Sequence, residues 1–182
     1  MPDAAARDAR AVIEPDTKNW TWVLERPCPE CGFDSRQVGG EDVPALLREN
    51  TAAWRPVLER ADVRERPAPD VWSPLEYACH VRDAFRIFDG RLRLMLAEDS
   101  PSFPDWDQDA TAVAERYGEQ DPHRVADELE EAGETLAARF AAVSGAQWER
   151  TGDRSDGSRF TVESIARYFV HDPVHHLHDV ER

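Results

Sequence analysis

A segment near the C-terminus, HDPVHHLHDV at residues 171 to 180, contains four of the six histidines of the chain and two aspartates. Imidazole nitrogens and carboxylate oxygens are common ligands of divalent metal ions. Because residues four apart share a face of an α-helix, the segment offers two overlapping pairs, His171 with His175 and Asp172 with His176. A divalent metal site is therefore the first chemistry that the sequence indicates.

The helix that carries this segment is predicted to begin after Thr161 and to continue to the end of the chain. Its apolar residues at helical spacing are Val162, Ile165, Ala166, Phe169, Pro173 and Val180. Asp172 and His176 follow Phe169 by three and seven residues. Both side chains are therefore predicted to point into the protein core.

A buried carboxylate one turn from a buried imidazole is unfavourable unless a partner compensates both groups. A divalent ion bound by Asp172 and His176 provides that compensation, and a direct hydrogen bond between the two side chains is the alternative. The pair His171 and His175, to one side of this face, is a second candidate for the metal, because Pro173 can shift the helical frame. The helix alone leaves these interpretations open.

His80 is the candidate for a third ligand. The stretch WSPLEYACH predicts the clearest helix start in the chain, with Ser73 as N-cap and Glu76 at the third helical position, and His80 follows Glu76 by one turn. One ligand from this helix and two from the last helix is a common construction in bundles. A three-ligand site also leaves room for water or substrate. Asp179 is predicted to accept the second ring proton of a ligand histidine.

Helical periodicity predicts four long helices, at residues 42–61, 74–95, 121–143 and 162–182. Residues 97–120 are predicted to form a long loop with one short helix, and residues 144–160 a turn-rich return with a short extended pair around a glycine. The expected fold is all-α, a four-helix bundle with one long crossover connection. An irregular N-terminal extension, residues 1–41, precedes the bundle domain, residues 42–182.

The formal net charge of the 182-residue chain is −15. This charge disfavours binding to nucleic acid and polybasic contact with an anionic membrane. The sequence has no apolar run near the ~18 residues of a membrane helix, and its first residues lack the order of a signal peptide. We expect a cytoplasmic globular protein that binds neither nucleic acid nor membranes.

Two stretches resemble the signatures of the DinB-like family. WSPLEYACHVRD resembles the second-helix signature, Trp-Ser, two residues, Glu and a histidine four residues later. HDPVHHLHDV resembles the fourth-helix signature, a histidine pair followed three residues later by a polar residue. The resemblance covers about residues 42–182, and it implies an up-down four-helix bundle with one long connection and a divalent metal held by three side chains.

By this resemblance, the first ligand falls on His80 and the second histidine of the pair is the ligand His176. The remaining ligand position is occupied by Asp172, where most relatives have histidine and some thiol-dependent isomerases have glutamate. The family includes S-transferases and isomerases that use bacillithiol, mycothiol or glutathione. The resemblance therefore implies a small-molecule thiol as cosubstrate.

The leading hypothesis is a metal-dependent enzyme with Zn²⁺, Ni²⁺ or Mn²⁺ as cofactor and a thiol or another small molecule as substrate. Its reaction is S-transfer or isomerisation with a thiol, or hydrolysis with water. The alternatives are a non-enzymatic metal- or ligand-binding stress-response module and a bundle with a purely structural polar network. Tyr77, Arg82 and Trp106 are candidates to shape a pocket. Bundles of this kind commonly form homodimers.

The motif CPEC, from Cys28 to Cys31, lies outside the region of resemblance. A single Cys-x-x-Cys is half of a zinc site or a redox pair. The sequence has no second such pair, so a four-ligand site would need His123 or a neighbouring subunit to complete it. The simplest interpretation is that these thiols have no function. Cys79 is expected to pack in the core as a small apolar residue.

Overall fold

The computed structural model describes residues 13–182, so residues 1–12 of the predicted extension lie outside the described part of the chain. The described residues form the α-helices α1 (Val43–Leu58), α2 (Pro74–Ala97), α3 (Gln108–Ala114), α4 (Pro122–Ala141) and α5 (Val162–Glu181). The four long helices begin and end within three residues of the predicted positions. None of these helices is long and apolar enough to cross a membrane.

The first turn of α2 is fixed by the predicted capping box. The Glu76 backbone N–H donates to Ser73 Oγ at 3.3 Å, and Glu76 Oε2 accepts from the Ser73 backbone N–H at 2.8 Å. Arg66 Nε also donates to Glu76 Oε2 at 2.9 Å. These bonds satisfy backbone donors that the helix itself leaves free, and they fix the start of the helix one turn before His80.

Helix α4 packs against both α1 and α2, and α5 packs against the same two helices on the other side. The order of the long helices around the bundle is therefore α1, α4, α2, α5. Helices α1 and α2 follow each other in the chain but lie at opposite corners of the bundle. The predicted bundle is present, but its helices do not follow the simple up-down order in which consecutive helices are neighbours. Large side chains that fill the core include Trp54, Phe85, Leu129, Phe140, Ile165 and Phe169.

The all-α prediction needs a correction, because three short strands in the connections between helices form a sheet. Strands β2 (Thr151–Arg154) and β3 (Arg159–Thr161) pair antiparallel around a turn that contains Gly157, as the predicted extended pair requires. Strand β1 (Ser102–Phe103) joins the edge of β2 in parallel. A two-residue strand has too little sequence to show a period of two, so β1 was not predicted.

The N-terminal segment, residues 20–42, lies along α5. It contains three 3-10 turns, Trp20–Leu24, Ser35–Gln37 and Gly40–Asp42. The Ser35 hydroxyl donates to the Val23 carbonyl, and Arg167 Nε of α5 donates to the Ser35 carbonyl at 2.8 Å. The segment therefore covers a face of α5 that the sequence pattern alone leaves polar.

Candidate metal centre

His80 of α2 meets Asp172 and His176 of α5 where the two helices pack. His80 Nε2 lies 3.3 Å from Asp172 Oδ1 and 3.2 Å from Oδ2, and His176 Nε2 lies 3.5 Å from Oδ1. One possible ligand atom from each residue lies within 4.8 Å of the other two. The structure thus brings together the three residues predicted as ligands, which we name the His-Asp-His cluster.

Asp172 and His176 shift each other's pKa in opposite directions. Burial raises the pKa of Asp172, but attraction to His80 and His176 outweighs burial and holds the pKa well below its usual value. Burial lowers the pKa of His176, but Asp172, helped by Asp179, raises it to a net value of about 9. The Asp172 carboxylate is therefore ionised at neutral pH, the form that binds a metal ion, whereas His176 holds a proton that a metal ion must displace.

The two imidazoles of the cluster are oriented in different ways. Asp179 Oδ2 lies 3.3 Å from His176 Nδ1, the predicted contact, and this leaves Nε2 of the ring facing Asp172. His80 is held by ring packing, since it stacks on Trp106 with centroids 5.3 Å apart and ring planes 10° apart. Its buried Nδ1 has no hydrogen-bond partner among residues 13–182. Trp72 lies on the ring as well, with centroids 5.4 Å apart.

A pocket of about 340 Å³ opens beside the cluster and is lined by Asp172 and His176. The side chain of Asp172 is 32% exposed, so the carboxylate is accessible from this pocket. Lys18 is the only lysine or arginine among the described lining residues. The acidic lining residues besides Asp172 are Glu14, Asp16, Glu30, Asp70, Asp109 and Asp179. The pocket therefore has a negative electrostatic potential.

His171 and His175, the alternative pair for the same metal, lie in a different cluster. One possible ligand atom from each lies within 4.8 Å of the Cys28 and Cys31 sulfurs. Cys28 Sγ is 3.6 Å from His175 Nδ1. Burial lowers the pKa of His171 to about 4, so its imidazole is neutral at physiological pH. We name these four residues the Cys-His cluster.

The sequence contained a signal for this second cluster that the prediction did not use. Two i, i+4 pairs offset by one residue place ligands on neighbouring faces of α5, and a Cys-x-x-Cys lacks two ligands. His123, the predicted partner of the cysteines, is exposed in α4 and is not in the cluster. The structure therefore places His171 and His175, not His123, beside Cys28 and Cys31.

The structure also locates the other candidate residues. Tyr77 lines the pocket, and its ring lies 5.0 Å from that of His176. Arg82 is not a lining residue of this pocket, because its guanidinium donates to Glu128 and Gln120. Cys79 is fully buried, as expected.

Comparisons with known proteins agree with this description. The sequence profile of the DinB superfamily matches residues 44–180. A solved structure, that of YfiT from Bacillus subtilis, is similar with a TM-score of 0.70 and 19% sequence identity, over 79% of this chain and 86% of that one. YfiT is described as a probable metal-dependent hydrolase with an unusual four-helix bundle topology. No functionally curated protein gives a significant match.

Proposed function

Because this chain belongs to the DinB superfamily, we propose that it is a metal-dependent hydrolase whose divalent ion is held by His80, Asp172 and His176. The observation that carries the proposal is the convergence of two imidazole nitrogens and one carboxylate at the wall of a pocket. Two imidazoles and a carboxylate form a ligand set typical of hydrolytic zinc sites. The description of YfiT as a probable metal-dependent hydrolase supports the choice of reaction.

The distances between the side chains fit the ion. Two ligands bound at about 2.1 Å and separated by a tetrahedral angle lie about 3.4 Å apart. With Asp172 Oδ1 as the ligand atom, its distances to His80 Nε2, 3.3 Å, and to His176 Nε2, 3.5 Å, bracket this value. These two distances are those expected for Zn²⁺, and Ni²⁺ and Mn²⁺ are tested beside it.

When bound, such an ion supplies Lewis acidity, which makes water or a thiol nucleophilic near neutral pH. The side chains around the ion orient its ligands, exclude water and bind the substrate. Asp179 holds Nδ1 of His176, so the ring keeps one tautomer and one orientation. Trp106 and Trp72 enclose His80 and exclude water from its ring. Substrate binds in the pocket beside Asp172, where Tyr77 and Trp72 offer apolar surface.

The charge of the pocket indicates the class of substrate. Six carboxylates besides Asp172 and a single lysine line the described wall, so an anionic substrate is repelled. Aromatic rings beside carboxylates favour cations through both charge and ring faces. We therefore propose a neutral or cationic ester or amide as substrate. Glutathione and other anionic thiols fit this surface less well.

The test is a hydrolysis screen of the full chain loaded separately with Zn²⁺, Ni²⁺ and Mn²⁺. The substrates are neutral, cationic and anionic esters and amides, each assayed with and without a small thiol. Activity that needs metal but no thiol is expected. Thiol-dependent turnover would favour S-transfer or isomerisation instead, and stoichiometric metal without turnover of any substrate would favour the binding module.

Variants assign the activity to the cluster. His80→Ala and Asp172→Ala are expected to lose one metal ion per chain and at least about 100-fold in kcat/KM, since each removes a ligand. His178→Ala is the matched control, because His178 lies on the same helix and belongs to neither cluster. Full activity in His80→Ala would overturn the assignment.

A further inference from the structure

The Cys-His cluster joins parts of the chain that are far apart in sequence. Cys28 and His175 are separated by 147 positions, yet Cys28 Sγ and His175 Nδ1 are 3.6 Å apart. The possible ligand atoms of Cys28, Cys31, His171 and His175 all lie within 4.8 Å of one another. Two sulfurs and two imidazole nitrogens form the ligand set of many structural zinc sites.

The measured contact fits a shared ion. For a tetrahedral ion with bonds of about 2.3 Å to sulfur and about 2.05 Å to nitrogen, sulfur and nitrogen are separated by about 3.6 Å. This value equals the distance between Cys28 Sγ and His175 Nδ1. A hydrogen bond between the Cys28 thiol and His175 would explain this one distance, but it would not require Cys31 and His171 to lie at the same point. A tetrahedral metal ion requires all four ligands there.

The backbone around the cysteines is folded for ligation. The Gly32 N–H donates to the Cys28 carbonyl at 2.9 Å, and the Cys28 N–H donates to the Phe33 carbonyl at 2.8 Å. Gly32 has φ +76°, a left-handed conformation that favours glycine. This tight turn brings Cys31 back beside Cys28, so both sulfurs face α5.

One buried atom of the cluster lacks a partner in the protein. His171 is 5% exposed, and its Nε2 has no hydrogen-bond partner among residues 13–182. An unpaired buried polar group is unfavourable, so such atoms usually have a ligand or water. Trp20 and Phe33 pack on the His171 ring, with centroids 5.7 and 6.1 Å away, and limit access of solvent.

Two carboxylates lie near the other nitrogen of His175. Asp179 Oδ2 and Glu30 Oε2 each lie 3.6 Å from His175 Nε2. A carboxylate on one ring nitrogen is the usual support for an imidazole that binds metal through the other nitrogen. His175 therefore presents Nδ1 to the Cys28 sulfur, while Nε2 faces two carboxylates.

We propose that Cys28, Cys31, His171 and His175 bind a structural Zn²⁺ that is separate from the ion of the His-Asp-His cluster. Four protein ligands complete the tetrahedral shell, so this ion takes no substrate. Its role is to fasten the N-terminal segment to α5. That segment contributes Trp20 and Glu30 to the wall of the pocket, so the second ion stabilises the pocket without taking part in the reaction.

The test is the metal content of the full chain produced with zinc, measured by mass spectrometry. Two zinc ions per chain are expected for the wild type, and one for Cys28→Ser/Cys31→Ser. Cys79→Ala is the matched control, since Cys79 is the third cysteine, is buried and lies outside the cluster, and it is expected to keep two. His80→Ala is expected to keep only the ion of the Cys-His cluster.

Cobalt gives a second measurement, and its deciding result comes from the wild type. Co²⁺-loaded wild type is expected to show thiolate-to-cobalt charge-transfer absorption, and His80→Ala is expected to retain it. Absence of this absorption from the Co²⁺-loaded wild type would overturn the second site, as would a Cys28–Cys31 disulfide in freshly purified protein.

The two proposals fail in different ways. If the wild type binds one ion, and this ion is lost in His80→Ala but kept in Cys28→Ser/Cys31→Ser, the second site is refuted and the hydrolase proposal stands. If the wild type instead binds one ion and shows thiolate-to-cobalt absorption, and His80→Ala keeps both, the second site is supported. That result also shows that the proposed active site holds no metal.

Discussion

His175 and His176 are adjacent in the chain, but their rings face different clusters, with centroids 5.7 Å apart and planes 83° apart. A helix turns about 100° per residue, so two i, i+4 pairs offset by one residue present ligands on neighbouring faces. Asp179 serves both rings, because its Oδ2 lies 3.3 Å from His176 Nδ1 and 3.6 Å from His175 Nε2. One carboxylate therefore faces an imidazole of each cluster, and we expect it to support both.

Asp179→Asn is predicted to weaken metal binding at both clusters by about 10–100-fold, because the amide supports a ligand imidazole less strongly than the carboxylate. Competition with a chromophoric chelator measures both affinities. Glu181→Gln is the control, since Glu181 is exposed on the same helix. Unchanged affinity at both clusters in Asp179→Asn would show that this carboxylate has no orienting role.

Glu76→Gln is predicted to reduce stability in a pH-dependent way. Burial raises the pKa of Glu76, but the hydrogen bonds from Arg66 and Ser73 outweigh it, and the net pKa is lowered. Because the folded-state pKa lies below that of the unfolded chain, the ionised carboxylate stabilises the fold above about pH 4 and loses this effect as the pH falls.

At pH 7, Glu76→Gln is expected to lower the free energy of unfolding by about 1.5–3 kcal/mol, the range for hydrogen bonds to a charged group. Urea denaturation at pH 7 and pH 3 measures the difference, which is expected to shrink at the lower pH. Glu49→Gln, at an exposed position of α1, is expected to change little at either pH. An equal loss at both pH values would exclude the charge as the cause.

Gly133→Ala is predicted to destabilise the bundle by about 1–3 kcal/mol through overpacking. A Cβ at this position of α4 would lie 2.3 Å from Thr51 Oγ1 and 3.0 Å from Phe85 Cε2, on the two helices that flank it. Gly90→Ala in α2 is the matched control, because its Cβ meets no atom within 4 Å.

Gly90→Ala is expected to stabilise the protein by about 0.5–1 kcal/mol, since alanine is the better helix former. Thermal unfolding of both variants gives the comparison. A stabilised Gly133→Ala would mean that α1, α4 and α2 are packed less closely than described here.

Substrate charge is predicted to control kcat/KM if the pocket beside the His-Asp-His cluster is the active site. Of two aryl esters that differ only in a quaternary ammonium or a carboxylate group, the cationic ester is expected to react faster. Its advantage is expected to fall as salt rises, because salt screens the acidic lining. Initial rates at low and high ionic strength measure this, and a preference for the anionic ester would contradict the proposed substrate class.

Local sequence patterns predicted much of the fold and of the first cluster. The capping box around Ser73 and Glu76 fixed the start of α2, because its hydrogen bonds join residues three apart. The helical face that contains Phe169 indicated Asp172 and His176 in the same way, but both side chains are partly exposed at a pocket and do not point into the core. Strand β1 was missed because two residues carry no pattern, and the order of the helices was missed because packing of α4 between α1 and α2 depends on all three helices at once.

By itself, the sequence predicted the helices, and its short motifs carried the family resemblance that selected His80, Asp172 and His176 over His171 and His175, since each depends on spacing within one helix or on a short motif. Only the tertiary structure decided the environment of His171 and His175. Both were predicted to lie beside the core face, and both are buried because the N-terminal segment covers them. Their contact with Cys28 and Cys31 joins residues more than a hundred positions apart, and no local period encodes which distant segment fills a polar helix face.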